Sequence, residues 1–218
     1  IGDILADGTR KAAAIIGNGA ERYAMHVQGS EVPMHDPKFA PGLATTYKMD
    51  ATPARHTQGH EDMPPVLEKW PDHDKYEWSG KGEIHKKCME MMHVVNGAGV
   101  CMFAFLSYDW NFIPDHLKAV TGWDIDTEEA FRIGERIAHI RHAFNLREGL
   151  NPIQFEVPGR LIGDPPQTAG NVRNITVDID TQVRDFCNAM DWDPETAVPS
   201  QKRLESLGLK EVATELHG

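Results

Sequence analysis

A thiol follows a glycine-rich turn near the middle of this sequence. The segment 96–101 reads Asn-Gly-Ala-Gly-Val-Cys and lies between a helix-like stretch and the apolar run 102–106. Glycine allows backbone N–H groups to come close to an anion or a flat heterocycle, and a thiolate can bind a metal ion. Cys101 is therefore a candidate functional residue. The alternative is a buried structural cysteine, which is the commoner role for an isolated cysteine after such a turn.

Histidine is the second residue type that could do chemistry here, with 11 in the chain. Five of them fall in a region rich in proline and glycine: His26, His35, His56, His60 and His73. His56 stands out because Arg55 precedes it and Pro53 restricts the backbone nearby. A neighbouring cation lowers the pKa of an imidazole or holds an anion beside it. We therefore interpret His56 as a candidate for proton transfer at a carbonyl group.

The same region allows a different chemistry. His56 and His60 are four residues apart, a spacing that would place both imidazoles on one face of a helix. Further oxygen and nitrogen ligands would come from Glu31, His35, Asp36 and Glu61. This is the hypothesis of a mononuclear metal hydrolase. Gly59 and the nearby prolines disfavour a helix at this point, and the chain has no H-E-x-x-H pattern.

Helices must position these groups. The pattern 83–95 predicts a helix that delivers the chain into the 96–101 turn. Asp126 and Glu129 resemble a capping box for the next long helix, whose apolar residues form one stripe: Ala130, Ile133, Ile137, Ile140 and Phe144. A helix from near Asp3 to Gly17 is also predicted. The chain from 23 to about 81 carries too many prolines for long regular elements.

These elements predict an all-α fold. We expect a multihelical chain with two packed helical lobes, the first over residues 1–95 with its long Pro/Gly/His-rich loop and the second over residues 96–218. A stand-alone helical domain that binds a protein partner is the simplest alternative function for such a chain.

The composition excludes several classes of protein. Lys and Arg number 22 against 33 Asp and Glu, a net charge of −11, which disfavours nucleic acid and anionic lipid as partners. The sequence has no apolar run of about 18 residues and no signal-peptide pattern at its start, so we expect a cytoplasmic protein without a membrane span.

The cysteines indicate that a sulfur-bound metal would need ligands from elsewhere. Cys88, Cys101 and Cys187 are far apart and form no C-x-x-C pair, and the spacing of Cys88 and Cys187 predicts core positions for both. The chain begins with Ile1 in an already helical pattern. We therefore expect it to be a piece of a longer polypeptide.

Several segments, in order, resemble the C-terminal two-thirds of the aldehyde ferredoxin oxidoreductase family. The residues that carry the resemblance are the opening I-G-D-I-L-A-D-G, H-V-Q-G-S-E-V-P with H-D-P at 26–37, T-G-W-D at 121–124, G-E-R-I at 134–137, F-N-L-R-E-G at 144–149, and W-D-P at 192–194 followed by L-G-L at 207–209. The family's D-x-x-G-L-C segment is matched by residues 96–101.

The resemblance implies specific roles for these residues. Cys101 would be the fourth thiolate ligand of a [4Fe-4S] cluster, and Asn96, Gly99 and Val100 would contact a pterin. His56 would be the proton donor or acceptor near the metal. The family's other three cluster cysteines, in a C-x-x-C-x-x-x-C run, are absent from this sequence.

The resemblance also implies a reaction: oxidation of an aldehyde to a carboxylic acid at a tungsten (or molybdenum) bis-pterin, with electrons passed through the cluster to ferredoxin. The implied partners are ferredoxin, the aldehyde, a missing N-terminal domain and a second copy in a homodimer. One thiolate of four cannot hold a cluster, so we expect this chain by itself to carry no cofactor and to be inactive.

Two residues depart from the family pattern. Asn96 stands where the family has Asp, which exchanges a carboxylate that only accepts hydrogen bonds for an amide that also donates. Lys38 stands where the family often has Arg. Both differences bear on cofactor and substrate contacts.

Overall fold

A computed structural model of the protein describes residues 1–59, 73–105 and 107–218. Its helices are α1 (Gly2–Ala6), α2 (Thr9–Ile16), α3 (Gly42–Met49), α4 (Gly82–Gly97), α5 (Met102–Phe105), α6 (Phe112–Thr121), α7 (Thr127–Arg147), α8 (Gly159–Ile162), α9 (Ile179–Met190), α10 (Gln201–Ser206) and α11 (Lys210–His217). Short 3₁₀ turns span Ala20–Tyr23 and Pro152–Gln154, and a two-residue antiparallel pair joins β1 (His26–Val27) to β2 (Ser30–Glu31). The all-α prediction is confirmed.

Helix α4 is the centre of the fold, because it packs against both α7 and α9. Its apolar side chains, among them Met91, Met92 and Val95, enter one hydrophobic cluster with Trp110 and Phe131. A second cluster joins α4 to α9 and to the segment after it: Met89, Val183, Phe186, Cys187, Met190 and Trp192. The helix that carries the 96–101 turn is therefore held on two sides by core packing.

Glycines set how closely the helices approach. A Cβ atom at Gly134 of α7 would lie 2.0 Å from the backbone oxygen of Glu90 on α4, and one at Gly82 of α4 would lie 2.1 Å from the backbone oxygen of Asp185 on α9. Both distances are far below van der Waals contact, so any side chain at these positions would push the helices apart.

Helix α7 begins as predicted, but its buried face differs from the apolar stripe. The Asp126 side chain accepts a hydrogen bond from the Glu129 backbone N–H at 2.8 Å. Ala130 is buried and Ile133 packs against the first cluster, but Ile140 and Phe144 are 46% and 54% exposed, so the stripe follows the packed face only at the start of the helix. The buried positions are Ala130, Phe131, Gly134, Glu135, Ala138, His139, His142 and Ala143. Small residues are needed there because α4 comes so close.

The polar residues on that face are satisfied within the protein. His139 Nδ1 bonds the Glu135 backbone oxygen at 2.9 Å, and its Nε2 accepts from the indole N–H of Trp192 at 3.0 Å. The His142 ring stacks on the same indole with centroids 3.7 Å apart. The W-D-P segment therefore contributes packing to the core.

The sequence predicted one continuous helix from near Asp3 to Gly17, and this prediction is wrong. Residues 2–16 form two helices separated at Asp7 and Gly8, where Gly8 adopts a φ of +86°. The break is stabilised from outside, since the Thr9 N–H and hydroxyl both donate to the Glu31 carboxylate. The apolar spacing of residues 2–16 could not indicate this contact, because Glu31 lies 22 positions after Thr9 in the chain.

The division at residue 95 falls within α4, which ends at Gly97. Because this helix crosses the predicted boundary, the division into two packed helical lobes stays a prediction. Among the helices in the described ranges, none is long and apolar enough to cross a bilayer.

A cluster of buried charges lies where α4, α7 and α10 meet. Arg203 donates to both carboxylate oxygens of Glu135, at 2.6 Å each, and Lys86 lies 3.4 Å from the same carboxylate. Glu90 is 1% exposed and lies 3.1 Å from Lys87 and 3.7 Å from Lys86. Burial raises the pKa of Glu90 to about 7, although both lysines act in the opposite direction.

Replacing Glu90 with glutamine is expected to stabilise the protein at high pH. Because the folded pKa exceeds the ordinary value of 4.5, the unfavourable burial of the carboxylate is absent below pH 4.5, grows as the pH rises and is complete above pH 7. The gain in unfolding free energy of E90Q over the native protein should therefore be about 2 kcal/mol larger at pH 8 than at pH 5. Urea unfolding at the two pH values measures it.

The exposed Glu128 of α7 provides the control, because its carboxylate keeps its water. E128Q should show no such gain. An E90Q gain that is equal at both pH values would contradict the prediction.

Candidate functional site

The end of α4 closes tightly and presents Cys101 to solvent. The Ala98 N–H donates to the Val94 oxygen at 2.8 Å, and the Val100 N–H donates back to the Val95 oxygen at 3.1 Å. Gly99 sits between them with a φ of +72°, a conformation that glycine adopts at little cost. Cys101 is exposed, whereas Cys88 and Cys187 are buried. The alternative of a buried structural role for Cys101 is therefore wrong, and the core positions of the other two are confirmed.

Asn96 joins this turn to the loop that carries His56. The Asn96 side-chain N–H donates to the backbone oxygen of Thr57 at 3.1 Å. Thr57 directly follows His56 in the sequence. The 96–101 turn and the His56 loop are therefore in direct contact, and together they form the candidate site.

His56 stacks on a second imidazole. The ring centroids of His35 and His56 are 4.5 Å apart, and the planes meet at 26°. Partial burial lowers the pKa of His56, and the positive charges of His35 and Arg55 lower it further. A lowered pKa favours the neutral ring, which can accept a proton.

Below the surface lies a polar network that the sequence did not indicate. The amide of Gln58, oriented so that its oxygen accepts from Arg55 at 3.1 Å, donates to Nδ1 of His93 at 3.0 Å. His93 lies one turn before Asn96 on α4, and its Nε2 is 3.9 Å from an Asp50 carboxylate oxygen. Arg141 of α7 lies 3.2 Å from that oxygen. The network ties the His56 loop to three helices.

The electrostatics of this network follow from burial. Burial lowers the pKa of His93 to about 3, with Arg141 and Arg55 acting in the same direction. Burial also raises the pKa of Asp50, although Arg141 opposes this. We therefore assign His93 as a neutral imidazole with a structural role. No spacing in the sequence indicated it, because its partners are 35 to 48 residues away along the chain.

Replacing Asn96 with aspartate, the residue found in the family pattern, is expected to loosen the site. A carboxylate oxygen would then face the Thr57 oxygen, so a donor is lost and two acceptors meet. We expect N96D to lose about 1 kcal/mol of unfolding free energy beyond any helix-end effect, as measured by urea unfolding at pH 7.

Asn188 provides the matched control because it is also an exposed asparagine near the C-terminal end of a helix, α9. N188D brings the same unfavourable carboxylate to a helix C-terminus. Equal losses in N96D and N188D would contradict a specific contact between Asn96 and Thr57.

The metal-hydrolase hypothesis gains no support from the described residues. His60 and Glu61 lie outside them. Within residues 1–59, 73–105 and 107–218, no group of three or more His, Cys, Asp and Glu side chains could hold a metal ion. The stacked imidazoles of His35 and His56 therefore have no third ligand in this part of the chain.

The residues at the turn fit one corner of an iron–sulfur cluster. A [4Fe-4S] cluster is held by thiolates, and Cys101 is an exposed cysteine at the end of α4. The other two cysteines are enclosed by the core. Of the three cysteines, Cys101 is therefore the one whose exposure fits such a ligand, and the rest of a cluster site would have to come from another polypeptide segment.

Comparison with known proteins agrees with this geometry. A family profile described as aldehyde ferredoxin oxidoreductase, domains 2 & 3, matches residues 1–209. The tungsten-containing aldehyde ferredoxin oxidoreductase of Pyrococcus abyssi is 30% identical over 214 residues, which cover 96% of this chain and 34% of that protein. The proteins of the same name from Pyrococcus horikoshii and Thermococcus kodakarensis are 29% and 27% identical, again over 34% of their lengths.

The match extends along almost the whole of this chain, which spans about a third of the length of these relatives. The described fold, the exposed thiol and the order of the matching segments lead to the same assignment. The chain belongs to the aldehyde ferredoxin oxidoreductase family, in the part that corresponds to its domains 2 and 3.

Proposed function

We propose that this chain is the C-terminal cofactor-binding part of an enzyme that oxidises an aldehyde to a carboxylic acid and passes the electrons to ferredoxin. The observation that supports this most directly is the match of residues 1–209 to the family profile, in which the exposed Cys101 at the end of α4 falls within the segment that resembles the family's D-x-x-G-L-C. The relatives are named tungsten-containing aldehyde ferredoxin oxidoreductases, which agrees with a metal-dependent redox reaction.

Each residue of the site has a distinct role in this proposal. Cys101 binds iron of a [4Fe-4S] cluster, and Asn96, Gly99 and Val100 form the wall that contacts the pterin. The tungsten (or molybdenum) bis-pterin supplies the two-electron redox chemistry when bound. His56 accepts the proton that is released as water adds its oxygen to the aldehyde carbon, and its lowered pKa keeps the ring able to do so near neutral pH.

The remaining parts of the enzyme lie in other segments. Three cluster thiolates and the opposite wall of the pterin site would come from an N-terminal domain, so this chain in isolation should hold no cluster and show no activity. A cytoplasmic location and a homodimer complete the proposal.

The test is an assay of the holoenzyme that contains this chain, with a panel of aliphatic and aromatic aldehydes. Oxidation of one aldehyde and one water gives one carboxylic acid, two protons and two electrons, so two molecules of a one-electron ferredoxin should be reduced for each acid formed. A holoenzyme that contains the metal and the cluster but gives no acid from any aldehyde would contradict the proposal. A metal-free protein purified with a tightly bound partner would favour a helical interaction domain instead.

A further inference from the structure

His35 comes from a different segment than His56, yet the two rings lie against each other. His35 precedes α3 and His56 follows it, 21 positions later in the sequence. The ring centroids are 4.5 Å apart with an angle of 26° between the planes, which is the geometry of a stacked pair. None of the matched family segments accounts for this pairing.

The core fixes the backbone of His35, although its side chain is exposed. Tyr47 is fully buried, and its hydroxyl donates to the backbone oxygen of His35 at 2.9 Å. Three residues further on, the ammonium group of Lys38 is 3% exposed and donates to the backbone oxygen of Arg160 at 2.9 Å. The backbone of this segment is therefore anchored on both sides of Asp36, which keeps the Cα atom of His35 close to the His56 loop.

Among the residues that the structure describes, the charged groups that act on His56 are positive. Arg55 lies on the same loop and His35 lies across the stack, and both act on the imidazole of His56. The nearby carboxylates are engaged elsewhere: Asp36 lies 2.9 Å from the Lys38 ammonium, and Asp50 lies 3.2 Å from Arg141. Two stacked imidazoles beside a guanidinium group resist carrying two protons at once.

We propose that His35 is the positioning residue for His56: it holds the ring of His56 in place by stacking and, by sharing the positive charge of the pair, keeps His56 ready to accept a proton. The catalytic meaning of this pairing rests on the proposed function. The pairing itself is a property of the chain and can be measured without any cofactor.

The experiment is an NMR titration of the histidine rings in the whole chain, with His56 assigned from its absence in H56Q. Two variants separate the effects at position 35: H35F keeps an aromatic ring and removes the charge, and H35A removes both. H116F is the matched control, because His116 is an exposed histidine on α6 that packs on Phe112. A dispersed spectrum shows that each variant is folded.

In the native chain His56 should titrate below its ordinary pKa. In H35F the pKa of His56 should rise by about 0.5 units because the like charge is gone, while the ring-current shift from stacking remains. In H35A the pKa should rise further as the ring is rehydrated, and the ring-current shift should disappear. H116F should leave both signals unchanged.

Other outcomes would overturn the proposal. If His56 titrates identically in H35F and the native chain, then His35 only packs against it and shares no charge. If the ring-current shift persists in H35A, the rings are not stacked in solution. Both results are independent of aldehyde oxidation, so a failure of the proposed function would leave the pairing intact. In an active holoenzyme, H35F should shift the acidic limb of the pH profile of kcat/KM to higher pH, by the same amount as the pKa of His56.

Discussion

Replacing Cys101 with alanine is expected, under the proposed function, to remove the iron–sulfur cluster from the holoenzyme and with it the transfer of electrons to ferredoxin. Losing an outer-shell partner of a metal site already costs about 10–100-fold in affinity or activity, and here a direct ligand is removed. We therefore expect iron content and visible absorbance to fall to background and ferredoxin reduction to fall by more than about 100-fold. Iron analysis and the ferredoxin assay measure the two effects.

The buried Cys187 provides a control for the loss of a thiol. Cys187 is fully buried, so C187A should lower stability through a small cavity but leave the iron content unchanged. The second variant is C101S. It should also lose iron, because a serine oxygen is a much poorer ligand for iron than a thiolate. Full iron content in C101A, or equal iron loss in C101A and C187A, would show that Cys101 is not a cluster ligand.

Replacing Gly134 with alanine is expected to cause a large loss of stability. The added methyl group would lie 2.0 Å from the Glu90 backbone oxygen, and a backbone atom cannot turn aside as a flexible side chain can. Helices α4 and α7 would have to separate, which disturbs both the apolar cluster and the buried ion pairs. We expect a loss of at least about 3 kcal/mol in unfolding free energy, measured by urea unfolding.

Gly97 provides the comparison because it is also a helical glycine near the contact between α4 and α7. A Cβ at this position would lie 3.5 Å from the terminal methyl of Ile137, an ordinary contact. G97A should therefore change stability by no more than about 1 kcal/mol, and the higher helix propensity of alanine favours a gain. Similar losses in G97A and G134A would show that the helices are not in close contact at Gly134.

Local patterns predicted the features that depend on neighbouring residues. The cap of α7 follows from Asp126 and Glu129, which are three residues apart, and the turn before Cys101 follows from its glycines. These are interactions within one turn of chain, where residue type determines the geometry. The sequence allowed Cys101 to be either a functional thiol or a buried structural cysteine, and the structure shows that it is exposed.

Features that depend on distant contacts were not predictable from one sequence. The packed face of α7 is set by Gly134, which periodicity counts as neutral although it determines how close α4 can come. Likewise, Asp50 meets Arg141 across 91 positions of chain, and no spacing rule connects them. The stacked pair of His35 and His56 depends on the path of the chain around α3 in the same way.

The hydrogen bond from Asn96 to Thr57 has a consequence for how such an enzyme could vary during evolution. Under the proposed function, electrons leave on the thiol side of this bond and protons leave on the imidazole side. A change that shifts the end of α4 would move the thiol and the His56 loop together, so we expect the redox potential and the pH optimum of this protein to change together. With aspartate at position 96 this bond is absent, and the two properties should then vary more independently.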